Sequence, residues 1–252
     1  MKTYEIINEY SKKKELAYIL YYKKSDTYII EINRECDEND LPLLLSEFYR
    51  KGVYTLSPEW SKRFIETRII PRDRQNLSDI LDRYNLKEYN TSKLLELSKG
   101  RCAQDECAIQ LNPKCPDWLT ERQKDNIREA VILPNDVVIL ECENNKYLFV
   151  ENKSLNNKKI DIIPGGYGIS INGSLNIMKD DLFKDAIEYE LTPEDIRLFN
   201  EETIVSTSDA AKMLNCSRQY VNALVNANKL NVYKKFDNVQ IFLRSDIIKL
   251  LW

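Results

Sequence analysis

Near the C-terminus two short helical segments are joined by a tight turn, and this constrains the fold more than any other stretch of the chain. Ser206-Thr207-Ser208-Asp209 places a hydroxyl at a helix N-cap and an acid three residues on, which predicts a capping box. Ala210, Ala211 and Leu214 then fall on one face, and the two alanines are small enough to let another helix approach closely. Asn215 follows where a helix needs a residue that tolerates left-handed geometry. Ser217 caps a second predicted helix over Arg218–Asn228, with Val221, Leu224 and Val225 facing inward. Arg218, Gln219, Tyr220, Asn222 and Asn226 face outward.

Past Lys229 the periodicity changes from helical to alternating. Leu230–Lys235 and Val239–Leu243 read as strands, with Phe236-Asp237-Asn238 as their turn. This predicts a hairpin wing, and Ser245-Asp246 is expected to cap a last helix over Ile247–Leu251. Residues 204–252 hold seven basic and three acidic side chains, a net +4, although the whole chain carries −3. Residues 1–203 therefore carry −7. A basic module after an acidic body fits a nucleic-acid partner, because phosphates attract the first and repel the second. Arg, Gln and Asn at the exposed start of a second helix are residue types that reach base edges and phosphates. The residues expected to meet DNA are Ser217, Arg218, Gln219, Tyr220 and Asn222 on the helix, Lys234 and Lys235 on the wing, and Arg244 after it.

The run Val205–Val221, with Lys229-Leu230 and Leu243-Arg244-Ser245-Asp246, resembles the excisionase-type, MerR-like winged helix-turn-helix. The likeness covers about a fifth of the chain. It implies DNA binding in transcription control or in the excision of phage and mobile elements. Asn215 stands where that family usually carries Gly, and the wing turn is less basic than is common there.

The remaining chain reads as an α+β body. Residues 16–32 predict a hairpin turning at Lys23–Asp26. Helices are expected over Leu41–Arg50, from Ser57-Pro58 to before Pro71, and over Leu77–Tyr84, Thr91–Ser98 and Asp117–Ala130. Val137–Cys142 and Lys146–Val150 predict paired strands, and four of the six glycines fall between Gly165 and Gly173, which predicts a turn-rich strand region. Leu182–Glu190 and Thr192–Asn200 read as helices, and Glu201-Glu202-Thr203 as a domain boundary. The expected division is 1–115, an α+β module; 116–203, a helix and strand-hairpin segment packed with the first; and 204–252, the winged helix-turn-helix. The order of elements over residues 16–110 is similar to the N-terminal subdomain of HipA-type kinases. That likeness rests on the hairpin, Asp40–Leu45, Arg68–Asn76 and Lys93–Cys102. It implies a regulatory module kept without its kinase, since no catalytic Asp loop or metal-binding Asp motif follows.

Composition narrows the chemistry. The chain has no histidine, which removes histidine bases, triads and metal ligands. Six cysteines in 252 residues do not make a disulfide scaffold. Cys102, Cys107 and Cys115, with Cys142 or Asp105, are the densest set with metal-ligand potential, and free thiols are the simpler reading. Pro164-Gly165-Gly166-Tyr167-Gly168 could cradle a phosphate but lacks the Lys-Ser/Thr of a P-loop, so a tight turn is simpler. Arg68, Arg72, Arg74 and Arg101 could gather an anion or pair with surface acids, and Tyr18, Tyr21 and Tyr22 are strand residues. No apolar run approaches membrane-spanning length and no signal-peptide core follows Met1, so the expected location is the cytoplasm.

The expectation is a non-enzymatic regulator that binds specific double-stranded DNA sequences, without cofactor or metal, and dimerises through residues 1–203. Alternatives are an accessory DNA-binding protein of a phage or mobile element, and an adaptor in a toxin–antitoxin or defence system whose body binds a protein.

Overall fold

The structure is a computed structural model that describes residues 1–11, 15–133, 137–151, 159–184, 186–188, 190–237 and 239–252. The fold is α+β, and among the described residues every strand pair is antiparallel. The chain divides into two compact units, Met1–Thr120 and Glu121–Trp252. Among the described residues no helix is long and apolar enough to cross a membrane.

The first unit is built on β1 (Lys2–Asn8), β2 (Glu15–Tyr22), β3 (Thr27–Ile32), α1 (Leu43–Arg50), β4 (Thr55–Leu56), α2 (Pro58–Glu66), α3 (Leu77–Arg83), α4 (Thr91–Ser98) and β5 (Cys107–Leu111). α5 (Asp117–Gln123) carries the chain across the boundary. The sheet order is β4-β3-β2-β1-β5. The predicted hairpin forms its centre, with Tyr21 opposite Tyr28 and the two rings stacked at 4.3 Å. β1 and β5 are strands without a pattern in the local sequence that predicts them. Tyr4, Ile6, Ile19, Ile30 and Ile32 from the sheet are buried with Leu45 of α1, Phe64 and Ile65 of α2, and Leu94 and Leu95 of α4. Ser57 caps α2 with Pro58 at its first position, as expected.

The second unit continues with β6 (Ile127–Ile132), β7 (Val137–Cys142), β8 (Tyr147–Glu151), β9 (Ile160–Ile162), β10 (Gly168–Ile171), β11 (Leu175–Met178), α6 (Lys179–Leu182), β12 (Ile187–Glu188) and α7 (Pro193–Thr203). Two sheets, β12-β8-β7-β6 and β11-β10-β9, share a core of Ile127, Ala130, Val138, Leu140, Ile162, Ile169 and Ile171. Phe199 of α7 packs with Val131, Leu133, Val137 and Ile139 in a separate cluster.

Four expectations change here. The helix predicted over Asp117–Ala130 stops at Gln123, and β6 takes over. Its Ile127, Ala130 and Val131 are buried beside β7, and pairing with that strand outweighs the helical propensity of the segment. The helix predicted over Leu182–Glu190 is not found: α6 lies before it and ends at Leu182, and Ile187–Glu188 is a strand that pairs Ile187 with Phe149, while residues 185 and 189 lie outside the described residues. Glu201-Glu202-Thr203 is the last turn of α7 rather than a linker, with the Thr203 hydroxyl donating to Phe199 O at 2.7 Å. The unit boundary falls at Thr120/Glu121, so the 121–203 segment shares its compact unit with residues 204–252.

Candidate nucleic-acid interface

The C-terminal module comprises β13 (Ile204–Ser206), α8 (Thr207–Met213), α9 (Arg218–Asn226), β14 (Lys234–Phe236), β15 (Val239–Leu243) and α10 (Arg244–Lys249). Ser206 accepts from Asp209 N at 3.2 Å and donates its hydroxyl to the Asp209 carboxylate at 2.6 Å. That hydroxyl, with the Lys212 ammonium, holds the Asp209 carboxyl below its ordinary range. α8 closes on Asn215, whose φ of +50° is the left-handed geometry anticipated, with Cys216 N donating to Ala211 O at 2.9 Å. Ser217 then caps α9 by accepting from Tyr220 N at 3.2 Å. α9 ends at Asn226, two residues earlier than predicted, because Asn228 turns left-handed at φ +54° and Lys229 N reaches Leu224 O.

Ala210, Ala211, Val221, Leu230, Phe242 and Ile247 form the module's own buried core. The wing pairs Lys234 with Ile241, Lys235 with Gln240 and Phe236 with Val239. Phe236 belongs to the strand rather than the turn. β13 adds a third strand to the expected two, pairing Val205 with Phe242. α10 starts at Arg244, earlier than expected, and Ser245 is buried instead of acting as its cap.

The predicted contact residues separate into two groups. Ser217, Arg218, Gln219, Tyr220 and Asn222 are exposed at the start of α9, and Lys234 and Lys235 are exposed on the wing. Arg244 is not part of this surface. Its guanidinium donates to Glu129 Oε1 (Nε at 3.1 Å) and to Ala130 O at 2.8 Å, so it is committed to β6. Nothing in the local sequence distinguishes it from Arg218, because its partner lies 115 positions away. Lys249 is likewise held by Glu143 at 2.8 Å and Lys212 by Asp209 at 3.2 Å. Among the described residues, the module's cations without a carboxylate partner are Arg218, Lys229, Lys234 and Lys235.

The other candidate clusters disperse. Cys102 Sγ lies 3.5 Å from Asp105, Cys107 Sγ donates to Asp40 O, and Cys115 Sγ faces Thr3. Burial pushes the Cys107 thiol up to about 12, away from the thiolate that zinc requires. Among the described residues no group of three or more Cys, Asp or Glu is placed to hold a metal ion. Arg68 is buried, donates to Gly100 O at 2.9 Å, pairs with Asp105 and lies over the Phe64 ring at 4.6 Å. Arg101 pairs with Glu9 at 2.6 Å and Arg72 covers Tyr89 at 4.7 Å, so these arginines hold separate partners instead of gathering an anion. The Pro164–Gly166 segment is a tight turn whose Gly165 carbonyl accepts from Asn126 Nδ2 at 2.7 Å. No family model matches the chain, and no curated protein or solved structure matches it either.

Proposed function

We propose that this chain is a sequence-specific double-stranded DNA-binding protein that regulates transcription, with residues 204–252 as its DNA-reading module. The observation that carries the reading is the exposed face of α9, which presents Arg218, Gln219 and Asn222, together with an exposed wing strand that bears Lys234 and Lys235 in the same small module. A helix of this kind enters the major groove while basic side chains beside it take the phosphates. Ser217 acts here chiefly as the cap that fixes where α9 starts. Tyr220, 56% exposed, offers a phenol to the backbone.

One such helix reads only a few base pairs, and operators are commonly read by two copies about one helical turn apart. We place the contact between copies in residues 1–203. Mobility shift of the full chain at low salt, against pools of random duplex, tests the DNA reading, and the absence of any shifted species overturns it. Light scattering with and without a selected duplex tests the dimer. A lone copy on a single half-site overturns that part.

A further inference from the structure

α9 carries an unusual set of uncommitted groups. Gln219, Asn222 and Asn226 are all exposed and stand at i, i+3 and i+7, so they share one face, while Val221 on the opposite side is buried in the core. Among the described residues none of these three amides has a partner within the chain. Ala223, also exposed, lies on the same face, four positions after Gln219. From Gln219 to Asn226 the helix rises about 10.5 Å. That matches about three base-pair steps of roughly 3.4 Å.

The chemistry of the face is selective. A carboxamide sets one acceptor beside one donor, the complement of the N7 acceptor and N6 donor that adenine shows in the major groove. Guanine shows two acceptors and is read by a group with two donors, above all arginine. The module has two arginines, Arg218 and Arg244. Arg244 is held by Glu129, and Arg218 Nη2 donates to Ser208 Oγ at 2.9 Å, which draws it toward the first turn of α8. The Ala223 methyl suits the methyl group of thymine.

We infer that α9 is an adenine reader: Gln219, Asn222 and Asn226 determine specificity for a half-site built on about three consecutive A·T pairs, and Arg218 serves the phosphate backbone. This rests on the DNA-binding reading above.

The test uses the full chain. Duplexes selected from a random pool are measured by fluorescence anisotropy, with single adenines replaced by 7-deazaadenine, which keeps base pairing but deletes the N7 acceptor. The expected result is an A·T core in every half-site and a loss of about fivefold or more for each replacement inside it. Asn222→Ala removes the preference at one base pair only. Asn222→Arg moves that preference from adenine to guanine. Lys235→Ala weakens all sequences alike. A selected core of G·C pairs, or full affinity for the 7-deazaadenine duplexes, overturns the adenine assignment while leaving duplex binding in place. Failure to bind any duplex at low salt overturns the DNA reading and this assignment with it.

Discussion

Arg244 of α10 and Glu129 of β6 form one ion pair inside the second unit, with Glu129 1% exposed. Glu129 stands directly opposite Glu141 across β6 and β7, beside a bulge at Arg128. Two carboxylates so placed repel each other. Arg244 matches the first, while Arg128 and the Tyr147 hydroxyl match the second, the latter at 2.8 Å. The winged module is thereby fastened to the sheet that precedes it in the chain. Truncating one partner leaves a buried charge, so Arg244→Met is expected to destabilise the protein by about 3–5 kcal/mol. Arg244→Met combined with Glu129→Leu restores much of the loss. Urea unfolding of the four species measures the coupling.

The same pair gives a pH signature. Burial raises the Glu129 carboxyl above its ordinary value, and Arg244 opposes that rise. A carboxyl raised in the folded state costs stability as pH climbs from the unfolded carboxylate range through the folded value. Removing Arg244 raises it further. The deficit of Arg244→Met is therefore expected to be larger at pH 7 than at pH 4, which unfolding curves at the two pH values check. An equal deficit at both means that Glu129 carries no charge in the wild-type protein.

Salt should act on only part of the module's charge. Four cations without carboxylate partners predict a slope of log affinity against log salt of about −3 to −4 per bound module. Lys235→Ala is expected to flatten it by about 1. Lys249→Ala, which releases Glu143 instead of a phosphate contact, is expected to leave it unchanged. Anisotropy titrations across a salt series decide between these outcomes.

Gly166 and Gly173 both have positive φ, +78° and +67°, yet their surroundings differ. A Cβ on Gly166 falls 2.4 Å from the Ile127 carbonyl oxygen, whereas nothing lies within 4 Å of one on Gly173. Gly166→Ala is expected to cost more than about 2 kcal/mol. Gly173→Ala carries only the left-handed penalty, about 1 kcal/mol. Thermal unfolding compares them directly.

Arg68 should prove structural. It joins the end of α2 to the Gly100 carbonyl and Asp105 with its side chain 2% exposed. Arg68→Ala is expected to destabilise the protein by about 3–5 kcal/mol, against less than about 1 for Arg74→Ala, whose residue is exposed. Denaturant melts of the two variants test this.

Local signals were legible wherever a backbone conformation depends on its own neighbourhood. Ser57-Pro58, Thr192-Pro193, Ser206 and Ser217 each cap the helix that their spacing announced, and Asn215 takes the left-handed turn. The hairpin of residues 16–32 and the basic wing follow in the same way, because alternation and turn residues act within a few positions. The exposed amide face of α9 was present in the sequence as spacing alone.

Tertiary structure decided whatever depended on a distant partner. Residues 127–130 lie in a stretch that reads as helix but join β6 by pairing with β7, and Lys2–Asn8 is a strand because it lies between β2 and β5. The sequence offered Arg218 and Arg244 as equivalent cations. Only the fold sets Arg244 against a carboxylate 115 residues earlier and leaves Arg218 at the exposed start of its helix. Periodicity and capping are local, whereas strand pairing and charge compensation depend on groups that only the folded chain brings together.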